Sequence, residues 1–184
     1  MNAYRSPWMD EELELFRDAA RRFVENEVAP NDARWREQKH VDREIWNKAG
    51  EVGMLCTDIP AEYGGVGGDA RHEAIVTEEM GRHGITSIGH TVHSILAHYL
   101  LNYGSEAQKR RWLPRMARGE LVGAIAMSEP GAGSDLQSVR TRAVREGNHY
   151  VLNGSKTFLS NGLHAGLVGI VAKTDPAQGA RGMS

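Results

Sequence analysis

The sequence has a single cysteine, Cys56, which excludes an intrachain disulfide and suits a reducing compartment. It has no surplus of positive charge. Its 22 Lys and Arg stand against 24 Asp and Glu, for a formal net charge of -2, so nothing asks for a nucleic-acid backbone or an anionic membrane as partner. No apolar run approaches the roughly 20 residues that a membrane-spanning helix needs. The stretch MNAYRSPWMDEELELF lacks the basic segment and apolar core of a secretory signal, and is too acidic for an organelle transit peptide. A cytoplasmic protein is expected, with neither nucleic acid nor membrane as partner. There is also no internal repeat and no low-complexity tract.

What is present is ordinary globular material: 184 residues, 40% apolar and 25% charged, enough for one good domain or two small ones. Ser6 and Pro7 predict a helix start, as cap and first helical residue. Leu13, Phe16, Ala20, Phe23, Val24 and Val28 recur at three- and four-residue steps, the mark of one buried helix face. Pro30 is expected to close that helix. Further helices are predicted over 43–52, 70–82, 87–103 and 105–117, the last capped by Ser105. TDIPAEYGGVGGDA between them reads as a loop.

The pattern then changes. ELVGAIAM is a short apolar run that reads as a buried strand. VRTRAVREGNHYVLNGSKTFLSNG alternates, and its EGN and NG turns predict two hairpin connections. LVGIVAK predicts another strand. The expected fold class is α+β: an N-terminal helical bundle domain over 1–118, then an antiparallel β domain over 119–184. A sheet this small leaves edges and an apolar face open, so the β domain is expected to be incomplete.

Several motifs invite a functional reading and carry little. Gly65, Gly67 and Ala70 match the spacing of a dinucleotide-binding fingerprint, but that motif works at the strand-to-helix turn of a βαβ unit. Here helices flank it, and a flexible glycine-rich connection is expected. His90, His93 and His98 share one predicted helix, with His98 pointing away from the other two. No Cys or acid cluster completes a converging set, so no metal site is expected. Cys56 has no evident His partner and no adjacent base, and reads as a small buried hydrophobe. Trp8, Trp35, Trp46 and Trp112 read as packing residues.

The stretch AMSEPGAGSD, residues 126–135, is richer. Its glycines let backbone N–H groups turn toward a ligand, and such a concavity suits a pyrophosphate or another anion. Ser128 and Ser134 add hydroxyl donors. On loop chemistry alone, a plain turn between strands is as good a reading. The loop has company, however. YGSEAQKRRWLPRMARGELVGAIAM precedes it and NGSKTFLSNG, residues 153–162, follows it. Together, in this order, these motifs closely resemble the acyl-CoA dehydrogenase family, and the likeness covers essentially the whole chain, from the helical N-terminal region with PAEYGGVGG to AKTDPAQGARGMS. The wording of the paired motifs is most similar to the long-chain branch.

That resemblance implies FAD as cofactor, with a middle β domain covering one flavin face and acyl-CoA held between flavin and helices. It places Ile125, Ala126, Met127, Ser128, Gly133, Ser134, Phe158, Leu159 and Ser160 at the cofactor. Ser128 falls where a hydroxyl bonds the pyrimidine edge of the ring. Ser134 serves the diphosphate and the neighbourhood of the bound thioester. Phe158 packs on the ring, and the Ser160 hydroxyl faces the N5 region. The implied reaction converts an acyl-CoA to a trans-2-enoyl-CoA. Electron-transferring flavoprotein is the implied acceptor, and the implied assembly a homo-oligomer, dimer or tetramer. In the family the base is a glutamate on a C-terminal helix, within a helical domain absent from these residues, so no residue here is assigned as catalytic and Glu129 is expected to be structural. By itself the chain is expected to bind FAD weakly and to turn nothing over. The rival readings are a non-catalytic module that binds flavin, another ligand or a partner, and a related flavin-dependent acyl-CoA oxidase.

Overall fold

Asp10 starts the first helix. In the computed structural model, which describes residues 6–184, its Oδ1 accepts the Leu13 N–H at 2.9 Å, and α1 runs Glu11–Phe23. Ser6 and Pro7 therefore lie before the helix rather than at its cap, in a turn closed by the Met9 N–H on Ser6 O at 3.1 Å. Asp10 is as good a cap as a serine, and it directly precedes Glu11, Glu12 and Glu14, whose charges suit the positive end of the helix dipole. Pro30 does not close the segment. The helix widens into a π turn over Val24–Val28, in which the Ala29 N–H bonds Val24 O, and α2 continues over Ala29–Gln38. Pro30 sits in the first turn of α2, where a missing N–H costs little.

The other helices follow the sequence pattern closely: α3 (Glu44–Glu51), α4 (Ala70–Arg82), α5 (His90–Tyr103) and α6 (Glu106–Ala117). Ser105 caps α6 through a reciprocal bond pair with Gln108. The dominant core lies among α1, α3 and α4 with Trp35 and Trp46 at its centre, 2% and 0% exposed. A second cluster joins α5 and α6 through Leu96, Leu113 and Met116, with Cys56 against them. Each such side chain contributes about 1.5–3 kcal/mol when fully buried. Trp8 is not part of this core and is 37% exposed. An ionic clasp adds register between α1 and α4: the buried Glu79 carboxylate accepts both Arg21 Nε and Nη2 at 3.2 Å, with Arg82 Nε 3.4 Å away.

The helices give way to four strands among the described residues: β1 (Val122–Ala126), β2 (Arg142–Glu146), β3 (His149–Asn153) and β4 (Ala165–Ile170). A helical region followed by a small β region is thus the fold. Within the β region one pairing differs from expectation. β2 and β3 form the antiparallel hairpin foreseen at EGN, with Gly147 at φ +61, but β1 and β4 pair in parallel. NG at 161–162 is consequently not a second hairpin. The β2–β3 hairpin and the coil after it act as the long crossover that a parallel pair requires. β1 is buried almost throughout because α5 covers it, whereas β4 alternates. An unbroken apolar run is what a strand covered on both faces shows.

Candidate active site

The fold brings the two motif segments together. The Thr157 N–H donates to Ser128 O at 3.0 Å. Lys156 Nζ donates to Met127 O at 3.0 Å and to Glu129 Oε1 at 2.9 Å. Glu129 is the anchor of the loop. Its backbone pairs reciprocally with Ala132, at 2.8 and 3.1 Å. Its buried carboxylate accepts the N–H groups of Arg140 at 2.7 Å and Thr141 at 2.9 Å. Burial works against this charge. The two backbone N–H groups and the Lys156 ammonium outweigh it and hold the carboxyl at about 2. A carboxylate so held is a poor proton acceptor, so Glu129 is a structural anion. Glu78 and Glu79 are no substitute, being engaged by Arg17, Arg21 and Arg82 on α1 and α4.

The other sequence-picked residues lie along the rim of these joined segments. Ala126 is buried, Ile125, Met127, Ser128 and Leu159 are half-buried, and Gly133, Ser134 and Ser160 are exposed. Among the described residues, no hydrogen bond engages the hydroxyls of Ser128, Ser134 or Ser160. Phe158 is 93% exposed and has φ +57. The left-handed backbone costs a bulky residue about 1–2 kcal/mol, and the ring it presents is left almost bare by the described residues. Gly131 and Gly133 have no positive φ, and a Cβ built on either meets no atom within 4 Å. Nothing in the fold itself requires glycine there. Close approach of a ligand to the backbone would.

Beside this rim, between α5 and the β1–β4 pair, lies an open apolar cavity of about 290 Å³. Leu96, Tyr99, Ile125, Met127 and Ile170 line it. Gly169 lets the strand and helix approach, since a Cβ there would lie 2.9 Å from Leu96 Cδ1.

The residues set aside on sequence grounds have structural work. Gly65 packs on backbone, its virtual Cβ 2.1 Å from Ile59 O, and Asp69 caps α4. The three histidines go to separate partners. His90 Nε2 lies 3.3 Å from the Thr77 hydroxyl, and His98 Nε2 3.0 Å from Asp58 Oδ2. His93, 0% exposed, bonds Met116 O through Nε2 at 3.2 Å and accepts the Gly123 N–H at Nδ1 at 3.0 Å. Burial pushes its pKa down to about 4. With one ring nitrogen donating and the other accepting, it is the neutral Nε2–H tautomer. Cys56 does have a histidine beside it, its Sγ 3.7 Å from His93 Nε2, a neighbour 37 residues away that the sequence hid, yet burial raises the thiol well above its ordinary value and it stays a packing residue. Sequence reasoning missed Lys156 and Asn161. Asn161 was masked by its NG turn signal, and Lys156 has no local signal, because its partners lie 27 and 29 residues away.

Comparison with known proteins agrees with this architecture. The family model for the acyl-CoA dehydrogenase N-terminal domain matches residues 10–120, and that for the middle domain matches 124–184. The chain belongs to the acyl-CoA dehydrogenase family. It is 46% identical to the mitochondrial long-chain specific acyl-CoA dehydrogenase of Sus scrofa over 89% of its own length and 38% of that protein. It is 41% identical to the short-chain specific acyl-CoA dehydrogenase of Clostridium acetobutylicum, over 94% of this chain and 46% of that one. The acyl-CoA dehydrogenase structure from Geobacillus kaustophilus superposes with a TM-score of 0.93 at 40% identity, over 98% of this chain and 48% of that chain. A glutaryl-CoA dehydrogenase from Mycobacterium smegmatis, solved in complex with FADH2, has a TM-score of 0.84 at 31% identity, over 91% of this chain and 44% of that one. The chain thus spans less than half the length of these relatives.

Proposed function

We propose that this chain supplies one wall of an FAD site and part of an acyl pocket in an enzyme that oxidises acyl-CoA to trans-2-enoyl-CoA. The observation that carries the reading is the junction of Ser128 with Thr157. It sets two segments side by side while leaving three hydroxyls, an aromatic ring and an open glycine loop without partners among the described residues. These groups fit the cofactor chemically: hydroxyls for the polar edge of the ring, backbone N–H groups for a diphosphate, and an aromatic face for stacking. In this reading Ser128, Phe158 and Ser160 hold the isoalloxazine. Gly133 and Ser134 serve the diphosphate, with Ile125, Ala126, Met127 and Leu159 shaping the edge. Bound FAD would supply the two-electron acceptor.

The apolar cavity beside Met127 suits an acyl chain. No residue described here is a free, basic carboxylate at that cavity, so proton abstraction is assigned to none of them. Electron-transferring flavoprotein as acceptor and a homo-oligomeric assembly belong to the same proposal. One structural neighbour at TM-score 0.88 comes from work on the electron transferring flavoprotein of Acidaminococcus fermentans.

The test is Ser160→Ala in the chain extended to its relatives' full length. A hydroxyl donor near N5 favours the charge of reduced flavin. The substitution is expected to lower the flavin potential and slow reduction by acyl-CoA. Unchanged spectrum, potential and rate would contradict the assignment.

A further inference from the structure

Asn161 stands directly after the Phe158–Ser160 turn and has φ +64. Its Nδ2 donates to Gly89 O at 2.8 Å and to Gly123 O at 3.0 Å. Gly89 immediately precedes α5, and Gly123 lies in β1. One amide nitrogen therefore ties the turn to both the helical region and the strand that leads into the Ser128 loop. A carboxamide is suited to this, because its NH2 offers two diverging donors from one atom. The partners are shaped to receive it. A Cβ on Gly89 would lie 2.4 Å from Asn161 Oδ1, so only glycine leaves room. The β1 register shifts between Val122 and Gly123, and side chains serve the Gly123 backbone from two sides. His93 takes its N–H at 3.0 Å, and Asn161 supplies its C=O.

The turn needs such a restraint. Phe158 and Asn161 both hold left-handed backbone, and Phe158 makes almost no contact of its own at 93% exposure. Among the described residues, two side chains from 158–164 bond the rest of the fold: Asn161, to Gly89 and Gly123, and His164 at the far end, whose Nε2 lies 2.8 Å from Val41 O; only Asn161 reaches β1 and the start of α5. We infer that Asn161 is a positioning residue: its double bond to Gly89 and Gly123 sets the Phe158–Ser160 turn against β1, and so fixes how the ring and the Ser160 hydroxyl meet the flavin. The flavin half of this inference rests on the function proposed above. The clamp itself does not.

Two substitutions approach the clamp from opposite sides. Asn161→Asp keeps the size and turns a donor atom into an oxygen facing two carbonyl oxygens. Gly89→Ala closes the space the amide occupies. Amide hydrogen exchange, read along the cofactor-free chain, is expected to quicken about tenfold or more in both variants at Gly162 and His164, whose N–H groups bond Leu159 O and Asn161 O, with α1 and α4 unchanged. In protein loaded with FAD, the flavin absorption bands are expected to shift in the same variants. Unchanged exchange at Gly162 and His164 in Asn161→Asp overturns the inference. So does faster exchange accompanied by a wild-type flavin spectrum. If Asn161→Asp unfolds the whole chain, Gly89→Ala gives the deciding result by the same readouts. Failure of the wild-type protein to take up FAD counts against the functional reading, and the exchange measurement still decides the clamp.

Discussion

Lys156 and Glu129, 27 residues apart, form a buried ion pair at 2.9 Å that fastens the second motif segment to the first. Their side chains are 10% and 6% exposed. Pairs so enclosed are costly to break from one side, because the survivor is left as an uncompensated buried charge. The ammonium also reaches Met127 O, so a single side chain holds both the backbone and the carboxylate of the loop. The pair is an assembly device for the rim of the site, separate from any chemistry done there.

Removing the cation is therefore expected to damage the fold before it damages anything else. Lys156→Met should lower unfolding free energy by about 3 kcal/mol in urea titrations. The acid limb of stability tests Glu129 directly. Its folded carboxyl titrates at about 2, below the ordinary glutamate value of about 4.3. The charged form is the one the fold prefers, so this stabilisation is fully present above the unfolded value and fades as pH falls toward 2. Glu129→Gln should be less stable at pH 6 and show a shallower loss below pH 4.5 than wild type. Parallel acid limbs would contradict the assignment.

His93 acts in a higher window with the same sign. Its folded pKa of about 4 lies below the ordinary histidine value of about 6.5, so the unfolded chain binds the extra proton first. The stability it confers is whole above about pH 6.5 and declines as pH falls toward 4. NMR should show the His93 ring neutral at pH 5, with Nε2 carrying the proton. A ring that titrates near 6.5 would refute the buried bridge between Met116 O and the Gly123 N–H.

The glycines separate packing from ligand approach. Gly65→Ala should cost about 2 kcal/mol or more, since its Cβ would press 2.1 Å from Ile59 O. Gly133→Ala has open space and should change stability by less than about 0.5 kcal/mol. If the loop meets the FAD diphosphate as proposed, that same substitution should weaken FAD binding measurably. A stability loss at Gly133 equal to that at Gly65 would remove the argument for close ligand approach.

Much of this arrangement is legible in the chain. The helices at 70–82 and 105–117 announce themselves through period and caps, because local hydrogen bonding decides them. The start of α1 was misplaced since Asp10 and Ser6 are both competent caps and only packing chooses between them. Pro30 misled because a π turn, invisible to periodicity, absorbs it. The parallel β1–β4 pair could not be read from NG, since a turn signal does not say which strand the chain next joins. The proposed site shows the same division. Motif wording nominates Ser128, Phe158 and Ser160, while Lys156 and Asn161 matter only through partners distant in sequence.

The central claim is that residues around Ser128 and Phe158–Ser160 form one flavin-binding surface. Its most direct measurement is titration of the isotope-labelled chain with FAD, followed through backbone amide shifts. The account predicts changes gathered at 125–128, 133–134 and 158–160, with the connection at 65–70 silent. Changes centred on Gly65–Ala70, or none anywhere at millimolar FAD, would contradict it.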